Sequence, residues 1–159
     1  MTPEHTRRGE MWVVGIEART TNAREMAPET AAIPGLWRRF LGEGIRERIP
    51  HPKPQGPLLG VYTRYASDHH GAYSLIVGTE VTSLEGVPKD FVGLRIAPAD
   101  YRVFPARGEM PAALIATWGQ IWREFEENVG ERRAFTTDFE IHLSPSEVDI
   151  WIAVAPGTS

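Results

Sequence analysis

Apolar and polar residues alternate most regularly near the end of the chain, over residues 136–155 (TTDFEIHLSPSEVDIWIAVA). On one arm Phe139, Ile141 and Leu143 alternate with Glu140 and His142. On the other, Val148, Ile150, Ile152 and Val154 alternate with Asp149, Trp151 and Ala153. A period of two sends the two sets to opposite faces of a sheet. The Ser144-Pro145-Ser146-Glu147 turn between the arms predicts a hairpin. With uninterrupted pairing from Leu143 and Val148, Ile141 stands opposite Ile150 and Glu140 opposite Trp151. The aliphatic face is core. The other face sets a carboxylate against an indole, a pairing suited to a flat or cationic organic molecule.

Upstream, residues 11–18 (MWVVGIEA) form a nearly continuous apolar run, as in a buried strand. Ile33, Leu36, Trp37, Phe40, Leu41 and Ile45 then recur at helical spacing, with Pro34 in the first turn, and the helix fails by Pro50. Residues 51–57 hold three prolines and read as a stiff linker. Residues 58–65 and 72–80 predict a second hairpin, whose six-residue turn leaves the register open. Residues 83–99 are a connector with a short strand at 93–96. A strand follows at 101–105. A helix begins near Pro111, with Leu114, Ile115, Trp118, Ile121, Trp122 and Phe125 on one face, and ends before Gly130. The order strand–helix–hairpin therefore occurs twice, over about 11–81 and 99–155. The expected fold is α+β: two strand–helix–strand–strand modules in one sheet, with two helices on one face. The opposite face and the seam between halves are left for a ligand.

Composition narrows the function classes. The 159 residues read as a single stand-alone domain with no room for a DNA-binding helix-turn-helix. A formal net charge of -4 argues against nucleic acid as the main partner. With no cysteine, thiolate metal sites, disulfides and cysteine nucleophiles are excluded. No apolar run reaches the roughly 20 residues of a membrane span, and no secretory signal is visible, so a cytoplasmic location is expected. The chain lacks the glycine-rich nucleotide loops and the GxSxG elbow. His69-His70 sit on a turn without further ligands, and His5 and His51 lie in tail and linker, so neither a metal nor a cofactor is expected.

Glu140 is the leading candidate, because a carboxylate in an apolar cleft is costly and a ligand cation relieves that cost. Trp151 is its expected aromatic partner. His142 shares its face by alternation. Trp118 is placed at the cleft and Trp122 in the core. Tyr101, Tyr62 and Tyr73 supply further rings. Glu80 is either a second carboxylate at the seam or a solvated strand-end acid. Arg132 and Arg133 read as solvated.

Residues 138–154 (DFEIHLSPSEVDIWIAV), 58–65 (LLGVYTRY) with 72–81 (AYSLIVGTEV), and 99–108 (ADYRVFPARG) with 116–125 (ATWGQIWREF) together resemble the gyrase-inhibitor-like small-molecule-binding domain. The same domain forms the effector-binding part of bacterial multidrug-sensing regulators. The resemblance spans residues 11–155. It implies tandem SHS2-type modules flanking a cleft, the ligand-facing acid at Glu140, and an aromatic cage from Trp151, Tyr101, Trp118 and Tyr62. His142 stands where relatives often carry tyrosine. It also implies three readings of function. The first is a stand-alone binder of hydrophobic, often cationic aromatics. The second is a hydrolase that opens strained cyclopropane rings with water activated by Glu140. The third is a surface that engages a protein partner, as in gyrase inhibition.

Overall fold

A computed structural model describes residues 4–68, 70–127 and 131–156. Its strands are β1 (Glu4–Arg8), β2 (Met11–Thr20), β3 (Leu58–Thr63), β4 (Tyr73–Val81), β5 (Val92–Ile96), β6 (Ala99–Arg107), β7 (Glu131–Arg133), β8 (Thr137–Ser144) and β9 (Glu147–Pro156). The helices are α1 (Asn22–Glu25), α2 (Ile33–Gly42), α3 (Ile45–Arg48) and α4 (Ala112–Glu127). The strands join one antiparallel sheet in the order β1-β6-β9-β8-β3-β4-β2-β5, and β7 pairs with β9 off this path. The fold is α+β, as the alternation of elements predicts.

The two repeated units meet where β8 pairs with β3. On one face α2 packs over β2 and β4, and α4 over β6. Leu36 and Phe40 bury against Val14, Ile16, Leu75 and Val77, while Ile121 buries against Phe104, Ile150 and Ile152. The helices thus cover the two wings of the sheet. The seam strands β3 and β8 run between them.

The other face is not free, contrary to the sequence expectation. Its cluster of Val13, Leu59, Val61, Ile76, Tyr101, Phe139 and Ala153 comes wholly from strands, and these side chains are buried. Chain connectivity accounts for this. Only Ala97 and Pro98 separate β5 from β6, so their ends lie no more than about 11 Å apart. In a flat sheet six strand spacings would hold them roughly 29 Å apart. The sheet must curl, and it packs this face onto itself.

Other differences have local causes. The predicted first helix breaks at Gly44, whose φ of 64° suits glycine, so α3 follows as a separate turn. The polar segment read as a tail contributes β1, an edge strand that pairs with β6 through its backbone. Such pairing needs no apolar pattern. β7 is too short to show a period. His69 lies outside the described residues.

Candidate functional site

Strand β8 organises the site. Asp138, Glu140 and His142 fall on one face by alternation, the face shared with Ile150 and Ile152 under α4. Glu140 is central to the seam and 1% exposed. Its Oε2 accepts hydrogen bonds from the Tyr62 hydroxyl and from Trp118 Nε1, both at 2.8 Å. Its Oε1 lies 3.0 Å from Nε2 of His142. Gly60, the cross-strand neighbour on β3, makes the space: a Cβ there would stand 3.2 Å from Glu140 Oε1 and 3.4 Å from Cζ2 of Trp37. The His142 ring is held against Trp37, with centroids 4.6 Å apart. A phenol, an indole and an imidazole therefore hold this carboxylate, and no arginine or lysine is among them. Burial, and then the Glu140 charge, push the Tyr62 phenol well above its ordinary value, so it stays a donor.

Two residues earlier, Asp138 is fully buried and treated differently. Its Oδ2 accepts from Arg133 Nη2 at 2.7 Å and from the Tyr65 hydroxyl at 2.5 Å, and its Oδ1 accepts from the Ala153 amide at 2.7 Å. The Arg133 side chain is 6% exposed. Its guanidinium lies 4.4 Å from the Phe135 ring centroid and 5.9 Å from those of Trp118 and Tyr65. Burial, and then Asp138, push the Tyr65 phenol well up.

Above this floor lies a cavity of about 360 Å³, within the range that holds small organic ligands. Tyr62, Tyr65 and Tyr73 line it from the sheet side. Leu114, Ile115, Trp118 and Trp122 line it from α4, Ile33 and Pro34 from the start of α2, and Arg133 and Glu140 complete the wall. The Tyr62 ring meets Trp118 edge-on at 5.2 Å and Tyr73 at 5.7 Å. Glu25 also lines the cavity, where it accepts from the amides of Ala32 and Ile33 at the start of α2. Burial, then Glu25 and Glu140, raise the Tyr73 phenol.

The structure brings together Glu140, Tyr62, Trp118 and His142. It separates three other candidates from them. Trp151 is across from Phe139, not Glu140, and Glu140 is across from Ile150. The cause is a β-bulge between His142 and Ser144: the two-residue turn pairs Ser144 with Glu147, and half-exposed Leu143 is the extra residue. One added residue moves every side chain beyond it to the other face. Trp151 accordingly stacks on Phe139, with centroids 5.5 Å apart and planes 13° apart, beneath the Arg8 guanidinium. Tyr101 packs on the same side, and burial pushes its phenol up to about 12. Glu80 pairs with Lys53 at 3.3 Å near the end of β4 and does not line the cavity.

Two further expectations are corrected. Trp122 is 37% exposed on the cavity wall, because Ile121 takes the core position of that turn. Arg133 is buried with Asp138, while Arg132 is exposed. The alternation that singled out Glu140 also marks Asp138, so that residue was available to the sequence reading. Nothing in the spacing of Arg133, Glu25 and Tyr65 announces the cavity. Among the described residues no group of acids and histidines is placed to hold a metal, and no helix is long and apolar enough to cross a membrane.

Comparison with known proteins agrees with this fold. An integron cassette protein from the mobile metagenome of Vibrio cholerae is 33% identical over 97% of this chain and 96% of its own, with a TM-score of 0.83. SAV2435, solved bound to tetraphenylphosphonium, shares the fold at 18% identity over 98% of this chain and 94% of its own (TM-score 0.80). The EcmrR C-terminal domain shares it at 10% identity over 96% of each chain (TM-score 0.60). A search of the curated proteins gives no match. The model of the integron-associated effector-binding proteins, Cass2, matches residues 6–154. With the match running across both modules and the seam between them, the chain belongs to the family of integron-associated effector-binding proteins.

Proposed function

We propose that this protein binds aromatic, lipophilic monocations in the seam cavity, as a sensing or sequestering module. The observation that carries the reading is the unequal treatment of two buried acids. Asp138 has an arginine; Glu140 has a phenol, an indole and the imidazole of His142, which carries charge only when protonated, and no arginine or lysine. Removing a carboxylate from water costs several kcal/mol, and hydrogen bonds recover only part of that. A ligand cation supplies the missing charge. The surrounding rings add about 0.5–2 kcal/mol for a cation over an aromatic face. That SAV2435 was solved with tetraphenylphosphonium supports the ligand class.

Tryptophan fluorescence tests the reading directly, because Trp118 and Trp122 line the cavity. Tetraphenylphosphonium and other lipophilic cations should quench saturably at one per protein, well ahead of uncharged aromatics of the same shape. The bound compounds should be recovered intact, as expected of a binder and not of a hydrolase. Equal quenching by charged and uncharged compounds would overturn the proposal.

A further inference from the structure

The cavity contains a second polar feature that cation binding leaves unused. The Arg133 side chain is 6% exposed, it lines the cavity, and among the described residues its hydrogen bonds leave Nη2, toward Asp138 and the Tyr65 hydroxyl at 3.4 Å. Its Nε is buried without a partner among the described residues. A guanidinium carries five N–H donors, and a buried donor left without an acceptor is destabilising. The neighbouring backbone is strained as well: Phe135, whose ring lies against this guanidinium, has φ 52°.

Its charge is already balanced by Asp138, so what remains on offer is hydrogen-bond donation rather than a positive field. That favours an uncharged acceptor such as a carbonyl or ether oxygen over a carboxylate. The spacing is fixed by the strand. Asp138 and Glu140 are two residues apart on one face, about 7 Å along β8, and Trp118 touches both poles, donating to Glu140 and facing the Arg133 guanidinium.

We propose that the cavity is bipolar. Glu140 takes the cation of the ligand, and the N–H groups of Arg133 not used by Asp138 take a neutral acceptor oxygen on the same aromatic frame. The preferred ligand class is thus a lipophilic cation bearing a carbonyl or ether. This rests on the seam cavity being the cation site.

The test compares (4-acetylphenyl)triphenylphosphonium with (4-isopropenylphenyl)triphenylphosphonium, in which C=CH2 replaces C=O at nearly constant shape. Wild-type protein should bind the acetyl compound roughly tenfold more tightly or better, as one hydrogen bond to a charged donor allows. In Arg133→Lys, which keeps a charge for Asp138 but loses the fork of donors, the ratio of the two affinities should shrink to within about twofold, whatever change the two cations share. The carbonyl stretch of the bound acetyl compound should move to lower frequency in wild type. That readout needs no variant and decides the matter should Arg133→Lys not fold. Equal binding of the two cations by wild type, an unshifted carbonyl, or a preference that survives in Arg133→Lys would overturn the bipolar site and leave the cation site standing. Failure of both cations to bind wild type would overturn the cation site and, with it, this inference.

Discussion

Asp138 and Glu140 occupy adjacent inward positions of one strand, are equally buried, and belong to different chemistries. Asp138 is held by an arginine, a phenol and a backbone amide, all from the chain itself. It ties β7 and β9 to the floor of the cavity. Glu140 is held by side-chain rings only, and two of these, Tyr62 and Trp118, also line the cavity. The first acid is complete without a ligand. The second is oriented and hydrogen-bonded, yet no arginine or lysine is among its partners, and His142 balances its charge only when protonated. Burial alone therefore does not distinguish an acid neutralised within the fold from one that, on the proposed function, takes a ligand cation. The source of the countercharge does.

The largest effect separating the two should be on stability. Asp138→Asn leaves the Arg133 cation buried without its acid, which typically costs about 3–5 kcal/mol. Glu140→Gln removes a charge that has no arginine or lysine partner, and should cost no more than about 1.5 kcal/mol. Urea unfolding of both variants checks this, and comparable losses would erase the contrast.

A smaller effect is expected at Gly60, whose missing Cβ accommodates the Glu140 carboxylate. Gly60→Ala should cost about 1–3 kcal/mol by overpacking and should weaken cation binding, because the displaced carboxylate loses its alignment. Unchanged affinity in calorimetry would show that Gly60 does not set that position.

The two tryptophans sharpen the comparison further. Trp118→Phe removes part of the aromatic cavity wall, and should weaken cation binding by up to about tenfold, within the roughly 0.5–2 kcal/mol of a cation on an aromatic face. Trp151→Phe should lower the melting temperature through lost packing on Phe139 and leave affinity within about twofold. A reversed outcome would restore the uninterrupted hairpin register.

The smallest effect is on pH dependence. Tyr62, Tyr65 and Tyr73 all have phenols raised by burial and by nearby acids. Being raised above the unfolded value, they contribute stability that is complete below about pH 10 and lost as pH climbs from there through the folded values. Stability should therefore fall above pH 10, less steeply in Tyr62→Phe, whereas cation binding at pH 9 should match that at pH 7. An alkaline slope unchanged by Tyr62→Phe would remove this phenol from the account.

Much of this arrangement was legible in the chain. Period-two and helical spacing gave the repeated order of elements, and the family resemblance pointed to Glu140, which the structure sets beside Tyr62 and Trp118. What misled was a single residue. Leu143 reads as one more apolar position in a regular alternation, but it bulges, and the partner strand turns over with it. Bulges depend on how turn and core compete, and no local pattern announces them. The curl of the sheet was hidden for a related reason, since it follows from strand order together with the two-residue connection after β5. The role of Arg133 was unreadable because its acid lies across a loop from it, on another strand.

The central claim is that Glu140 selects charge. Calorimetric affinities of 10-methylacridinium and its uncharged isostere 9-methylanthracene, measured on wild type and Glu140→Gln, test it most directly. The account predicts that wild type prefers the cation and that Glu140→Gln loses roughly 10- to 100-fold for the cation, equivalent to about 1.5–3 kcal/mol, and less than about twofold for the hydrocarbon. An equal loss for both compounds, or none for either, would contradict it.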